Sequence, residues 1–127
     1  MKILLINPPS ENELHGNNPS IIEEERGYNP PLGILYIAGY LEKHTNFKVE
    51  ALDTQAEEIG YDRLKDAILA KQPDVVGITA MTFTLIDVIK VINLIKSMRP
   101  EIKVVLGGPH VHIYPEETIN IPGVDFL

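Results

Sequence analysis

Five short apolar runs punctuate the chain: residues 2–6 (KILLI), Phe47 to Leu52, Asp74 to Thr79 (DVVGIT), Lys103 to Leu106 (KVVL) and Val124 to Leu127 (VDFL). Few of them alternate. An unbroken apolar strand suits a sheet covered on both faces, because neither side of its pleat meets water, and such sheets are parallel. The intervening segments carry helical patterns. Pro31 stands where a first-turn proline is tolerated, and Leu32 to Lys43 has almost no polar residue before Glu42, so this helix is expected to be buried nearly all round. Tyr61 to Lys71 is amphipathic, with Tyr61, Leu64, Ile68 and Leu69 opposite Asp62, Arg63, Lys65 and Asp66. Thr84 with Asp87 three residues on is a capping-box signal. The helix that follows runs to Met98, and its narrow polar stripe passes through Asp87, Lys90, Asn93 and Ser97. Its apolar face, like that of the first helix, exceeds what one sheet needs. Pro115 to Ile119 is a last short helix before Pro122-Gly123.

Strands alternating with helices, joined by right-handed crossovers, predict an α/β fold. The expected architecture is a Rossmann-like (flavodoxin-like), doubly wound, parallel five-stranded sheet of order 2-1-3-4-5 in three α/β/α layers. Such sheets bind ligands beyond the C-terminal ends of the strands, at the switch point between the first and third strands. Three loops therefore matter: Asn7 onward, Ala80 to Phe83, and Gly107 onward. The first is abnormally long. Residues 7–29 lack a convincing pattern, beyond the ~12–15 residues at which a plain loop becomes uncommon. A lid, a partner-docking segment, or a surface insertion around Glu23-Glu24-Glu25 are the readings open for it.

Length and charge narrow the function. The 127 residues suit one domain, residues 1–127, and 44% apolar with 23% charged residues is a globular composition. Eleven basic against eighteen acidic residues give a net charge of −7 with no basic stripe, which argues against nucleic acid as a partner. No apolar run reaches the ~20 residues of a membrane span, and the N-terminus has no signal-peptide pattern, so a cytoplasmic protein is expected. Cysteine is absent. A thiol nucleophile, a zinc ribbon and an iron–sulfur cluster held by this chain alone are excluded.

The loops dispose of the commonest tenants of the fold. A dinucleotide or flavin phosphate needs glycines or hydroxyls after the first strand, where this chain has Asn7-Pro8-Pro9-Ser10, and proline removes amide donors. A phosphate-accepting receiver domain needs acidic residues after the first and third strands to hold magnesium, and neither loop has them. What remains is small and neutral: Thr79-Ala80-Met81-Thr82 after the third strand and Gly107-Gly108-Pro109-His110 after the fourth. Taken singly, Thr-x-x-Thr is a cap and Gly-Gly-Pro a turn. Side by side they open a slot whose hydroxyls and bare amides suit a large ligand rich in amides with a single phosphate.

The Thr79-Ala80-Met81-Thr82 and Gly107-Gly108 stretches resemble the Ser/Thr-x-Leu/Met-Thr and Gly-Gly signatures of cobalamin-binding domains. With Asn7-Pro8-Pro9, the Pro30-Pro31-Leu32-Gly33 to Tyr40-Leu41 block and Gly107-Gly108-Pro109-His110, the chain is similar over nearly its whole length to the N-terminal domain of cobalamin-dependent radical S-adenosylmethionine enzymes. The resemblance implies a cofactor surface of Pro8, Pro9, Leu32, Gly33, Thr79, Ala80, Met81, Thr82, Gly107, Gly108, Pro109 and His110, with Thr79 and Thr82 on the nucleotide tail. It implies no catalytic residue here. The partner would be a radical S-adenosylmethionine domain of the same longer chain, which would carry the four-iron cluster, the S-adenosylmethionine and the small-molecule substrate. The parent would be methyltransferase-like or cyclase-like. The end of the chain inside the expected fifth strand, and the lack of cysteine, make a fragment the expectation. Cobalamin modules related to methionine synthase carry Asp-x-His-x-x-Gly after the first strand. Here Glu13, His15 and Asn18 stand at those places, so His15 is read as a surface residue and the cobalamin as having its own base detached with no protein histidine on cobalt. A cofactor-free docking domain of the same fold is the alternative. Of the other polar candidates, His44 suits a helix C-terminus and Asp53 a cap. His110 and His112, two apart in an extended segment, point to opposite sides and make a poor metal pair.

Overall fold

The computed structural model describes residues 1–16, 27 and 29–127. Residues 17–26 and 28 of the long connection after the first strand, including the Glu23-Glu24-Glu25 run and Asn18, lie outside the described residues. The elements in chain order are β1 (Lys2–Asn7), α1 (Leu32–His44), β2 (Lys48–Asp53), α2 (Tyr61–Lys71), β3 (Val75–Thr79), a 3₁₀ turn (Thr82–Thr84), α3 (Leu85–Met98), β4 (Lys103–Gly107), α4 (Pro109–Ile113) and α5 (Pro115–Ile119).

The strands form one parallel sheet of order β2-β1-β3-β4. The chain winds outward from β1 in both directions, which places the switch point between β1 and β3. The fifth strand expected at residues 124–127 is reduced to one parallel bridge, Val105 with Phe126. Asp125 explains why pairing goes no further on that edge. Its carboxylate, rather than a strand carbonyl, accepts from the Val104 N–H at 2.9 Å, and it is also bonded to Lys96 at 2.7 Å and Lys103 at 3.0 Å.

Alternate strand residues divide between two cores. Leu4, Ile6, Val76, Ile78, Val104 and Leu106 point to one face and pack against Leu64 and Ile68 of α2 and Val88, Val91, Ile92 and Ile95 of α3. Ile3, Leu5 and Val49 point to the other, where α1 supplies Ile34 as its one buried residue. The expectation of an all-round buried α1 is therefore corrected: Tyr36 is 83% and Leu32 73% exposed, because a single sheet covers only one side of a helix.

Two further expectations change. Asp87 lies on no solvent stripe and caps no helix; it is 0% exposed, and its carboxylate accepts from Asn12 and Tyr61. The Thr84 hydroxyl instead makes the reciprocal contact with Met81, accepting from its N–H at 3.3 Å and donating to its carbonyl at 3.2 Å. The segment after Gly108 is not extended. Pro109, its φ preset for a first turn, starts the one-turn helix α4 that holds both His110 and His112.

Candidate functional site at the ends of β1 and β3

The rim of the cleft is built by short, mutually braced loops. Pro8 and Pro9 have no N–H to continue the β1 ladder, so neighbours hold this stretch instead. The Thr54 hydroxyl donates to the Asn7 carbonyl at 2.7 Å, Gln55 donates to the Pro8 carbonyl at 3.0 Å, and Asn7 Nδ2 donates to Asp53 at 2.8 Å. Asp53 also accepts from the Ala56 N–H at 3.4 Å, capping the turn after β2.

Across the switch point, Thr79 and Gly107 are register partners, so the loops leaving β3 and β4 start side by side. The Ala80 N–H donates to the Gly107 carbonyl at 2.7 Å and the His110 N–H to the Ala80 carbonyl at 3.1 Å. The two glycines have different reasons to be there. Gly108 has φ +101°, and a Cβ on it would fall 2.8 Å from the Ala80 carbonyl, so only glycine lets the loops approach this closely. Gly107 is unconstrained: a Cβ there meets nothing within 4 Å, and its bareness leaves open space on the sheet face.

That space belongs to a two-part cleft. A rim cavity of about 380 Å³ is lined by Asn7, Pro8, Gly27, Asn29, Pro31, Leu32, Gly33, Ile34, Gln55, Thr79, Met81, Phe83 and Thr84. A trough of about 310 Å³ runs down the sheet between α1 and β4, over Ile3, Leu5, Val75, Gly77, Val105, Gly107 and Gly108, with Ile37 and Leu41 as its helical wall. Gly33, Ile34 and Thr79 border both, so the two volumes join there. Among the described residues, neither part is lined by a charged side chain. Among the described residues no cluster of histidine, aspartate and glutamate could hold a metal ion.

The structure brings Pro8, Leu32, Gly33, Thr79, Met81, Gly107 and Gly108 together on this cleft. It places the other sequence candidates elsewhere. Pro9 faces a separate hollow with Ser10, Glu11 and Thr54. Ala80 is fully buried beneath the loops. Thr82 Oγ1 lies 3.0 Å from His110 Nδ1, and this hydrogen bond joins the two loops. Pro109 begins α4 outside the cleft lining, and His15 is exposed. Asn29 and Phe83 lie in the loops the sequence singled out but not among its candidates, and Gln55, in the turn after β2, was missed because only its bond to the Pro8 carbonyl brings it to the rim.

Comparison with known proteins agrees with this geometry. Residues 20–127 match the family described as B12 binding domain. The chain is 36% identical over 121 residues to an uncharacterized methyltransferase of Pyrococcus horikoshii, covering 94% of this chain and 24% of that protein. It is 31% identical over 115 residues to the anaerobic magnesium-protoporphyrin IX monomethyl ester cyclase of Rubrivivax gelatinosus, covering 90% of this chain and 21% of the cyclase. The chain thus spans roughly a quarter or less of these relatives. A crystal structure of a cobalamin-binding protein from Desulfitobacterium hafniense superposes with a TM-score of 0.60 at 20% identity, over 99% of this chain and 52% of that one, and so shares its fold. With the match extending over most of its length, residues 20–127, the chain belongs to the B12-binding domain family.

Proposed function

We propose that the domain binds cobalamin in the two-part cleft and presents it to the radical S-adenosylmethionine domain of a longer methyltransferase-like or cyclase-like enzyme. The observation that carries this reading is the uncharged cleft at the β1/β3 switch, continuous from rim to sheet face and kept open by Gly107. Its parts fit the parts of the cofactor. Pro8, Leu32 and Met81 on the rim would hold the corrin. The apolar trough would take the nucleotide arm. Thr79, at the junction, offers the hydroxyl for its polar groups, with the Gly107 and Gly108 backbone beside it.

Bound cobalamin supplies the methyl-carrying and redox chemistry that no side chain here possesses. The residues of this chain bind it, orient it and shield its arm from water. The cobalamin is held with its own base detached and without a protein histidine on cobalt: His15 is exposed, and His110 is engaged with Thr82. The iron–sulfur cluster, S-adenosylmethionine and substrate belong to the partner domain.

The test is to add hydroxocobalamin to the chain, remove the excess by gel filtration and record the visible spectrum. Retained corrin is expected, with a spectrum unchanged in His15→Ala. Loss of all corrin on the column favours a cofactor-free docking domain. A histidine-ligated spectrum that disappears in His15→Ala overturns the base-detached state.

A further inference from the structure

Asp87 sits in the first turn of α3 yet is 0% exposed, and its carboxylate gathers groups from two other parts of the fold. The Asn12 N–H donates to it at 2.9 and 3.2 Å, Asn12 Nδ2 at 2.8 Å and the Tyr61 hydroxyl at 2.5 Å. Lys90, one turn further along α3, donates to Asn12 Oδ1 at 2.9 Å and lies 5.4 Å above the Tyr61 ring. Burial, and then the Asp87 charge, push the Tyr61 phenol above its ordinary range, so it remains a donor.

A buried carboxylate is costly unless its lone pairs are filled, and an apolar side chain would serve core stability as well or better. What the carboxylate adds is position. We propose that Asp87 is the positioning residue of the cleft: with Tyr61 it captures Asn12 and so clasps the segment after β1 against α3 before any ligand arrives. This rests on reading the cleft as the cofactor site.

The clasp spans the cleft's two walls. Pro8 and Pro9 cannot be held by a strand ladder. Two residues past Asn12, the Leu14 N–H donates to the Phe83 carbonyl at 2.9 Å, tying the same segment to the loop that carries Met81 and Phe83. Pro8, Met81 and Phe83 all line the rim cavity. Releasing Asp87 loosens the segment through Asn12 and Leu14 against α3, while the strand ladders and the bonds of Gln55 to Pro8 and of Thr84 to Met81 remain.

The experiment is residue-resolved amide hydrogen exchange on the cofactor-free chain, with hydroxocobalamin dissociation measured in parallel. In Asp87→Asn, exchange at Asn12 and Leu14 is expected to accelerate by about ten- to a hundredfold, the loss of a hydrogen bond to a charged group, while Leu5, Val76 and Val104 hold their rates. Hydroxocobalamin then leaves faster. Should Asp87→Asn fail to fold, Tyr61→Phe combined with Asn12→Ala loosens the same contacts from the other side, and the same pattern is expected. Unchanged exchange at Asn12 and Leu14, or acceleration only in step with the strand amides, overturns the clasp. Failure of the unsubstituted chain to retain hydroxocobalamin overturns the cofactor reading instead, and leaves the exchange result to decide the clasp on its own.

Discussion

The two faces of the sheet are made from the same strands and nearly the same residue types, yet they end differently. On one, two helices seal Leu4, Ile6, Val76, Ile78, Val104 and Leu106 into a continuous core. On the other, one helix covers β1 and β2 and stops, leaving Val75, Gly77, Val105 and Gly107 as the floor of an open trough. Stability is concentrated on the sealed face, and the open face is free to take a ligand. Gly107 deepens the trough where valine or leucine would fill it, whereas Gly77 makes room for Leu5, whose side chain would lie 2.7 Å from a Cβ there.

This division can be broken from either side. The largest effect is expected on the sealed face: Ile92→Ala, at a fully buried position where α3 packs on the sheet, should cost about 2–5 kcal/mol in chemical denaturation. An equally small loss on both faces would show that no such division exists. Next comes Gly107→Leu. Its side chain enters open space, so the thermal midpoint should hardly move, whereas hydroxocobalamin affinity should fall at least about tenfold, roughly 1.4 kcal/mol, in a spectral titration.

Asp125 tests the margin between the faces. Burial alone would raise its pKa, but hydrogen bonds from Lys96, the Val104 N–H and Lys103 outweigh this and hold the carboxyl well below its ordinary range. Because the folded value is depressed, its stabilisation is full above the ordinary carboxylate pKa of about 3.9 and drains away as pH falls below it. Asp125→Asn is therefore expected to lose about 1 kcal/mol at neutral pH, and the gap from the unsubstituted protein should close in denaturation curves taken on acidification. The smallest change is expected from Tyr36→Ser on the outer side of α1: within about 0.5 kcal/mol by the same measurement, since that ring is 83% exposed.

Four of the five strand positions and the bounds of three helices were readable because they depend on local periodicity. The predicted 32–43, 61–71 and 84–98 became Leu32–His44, Tyr61–Lys71 and Leu85–Met98. The adjacency of Thr79 and Gly107 followed from topology. What stayed hidden depends on contacts distant in sequence. Asn12 and Asp87 are 75 positions apart, and nothing local to either announces that a carboxylate drawn on a polar stripe turns inward. The apolar face of α1 misled for the opposite reason: composition records that a helix is greasy, not how much of it the sheet reaches. The Gly-Gly-Pro stretch was legible as a turn but not as two separate devices, one glycine tightening the loops and the other emptying the trough.

The lone bridge between Val105 and Phe126 has a consequence for handling the protein. An unguarded sheet margin recruits extended segments from neighbouring molecules and seeds aggregates. Here an ion-paired carboxylate occupies the Val104 amide, and an intruding strand must first evict it. Removing that carboxylate strips the guard outright, so Asp125→Asn is expected to turn turbid in concentrated solutions sooner than the unsubstituted protein.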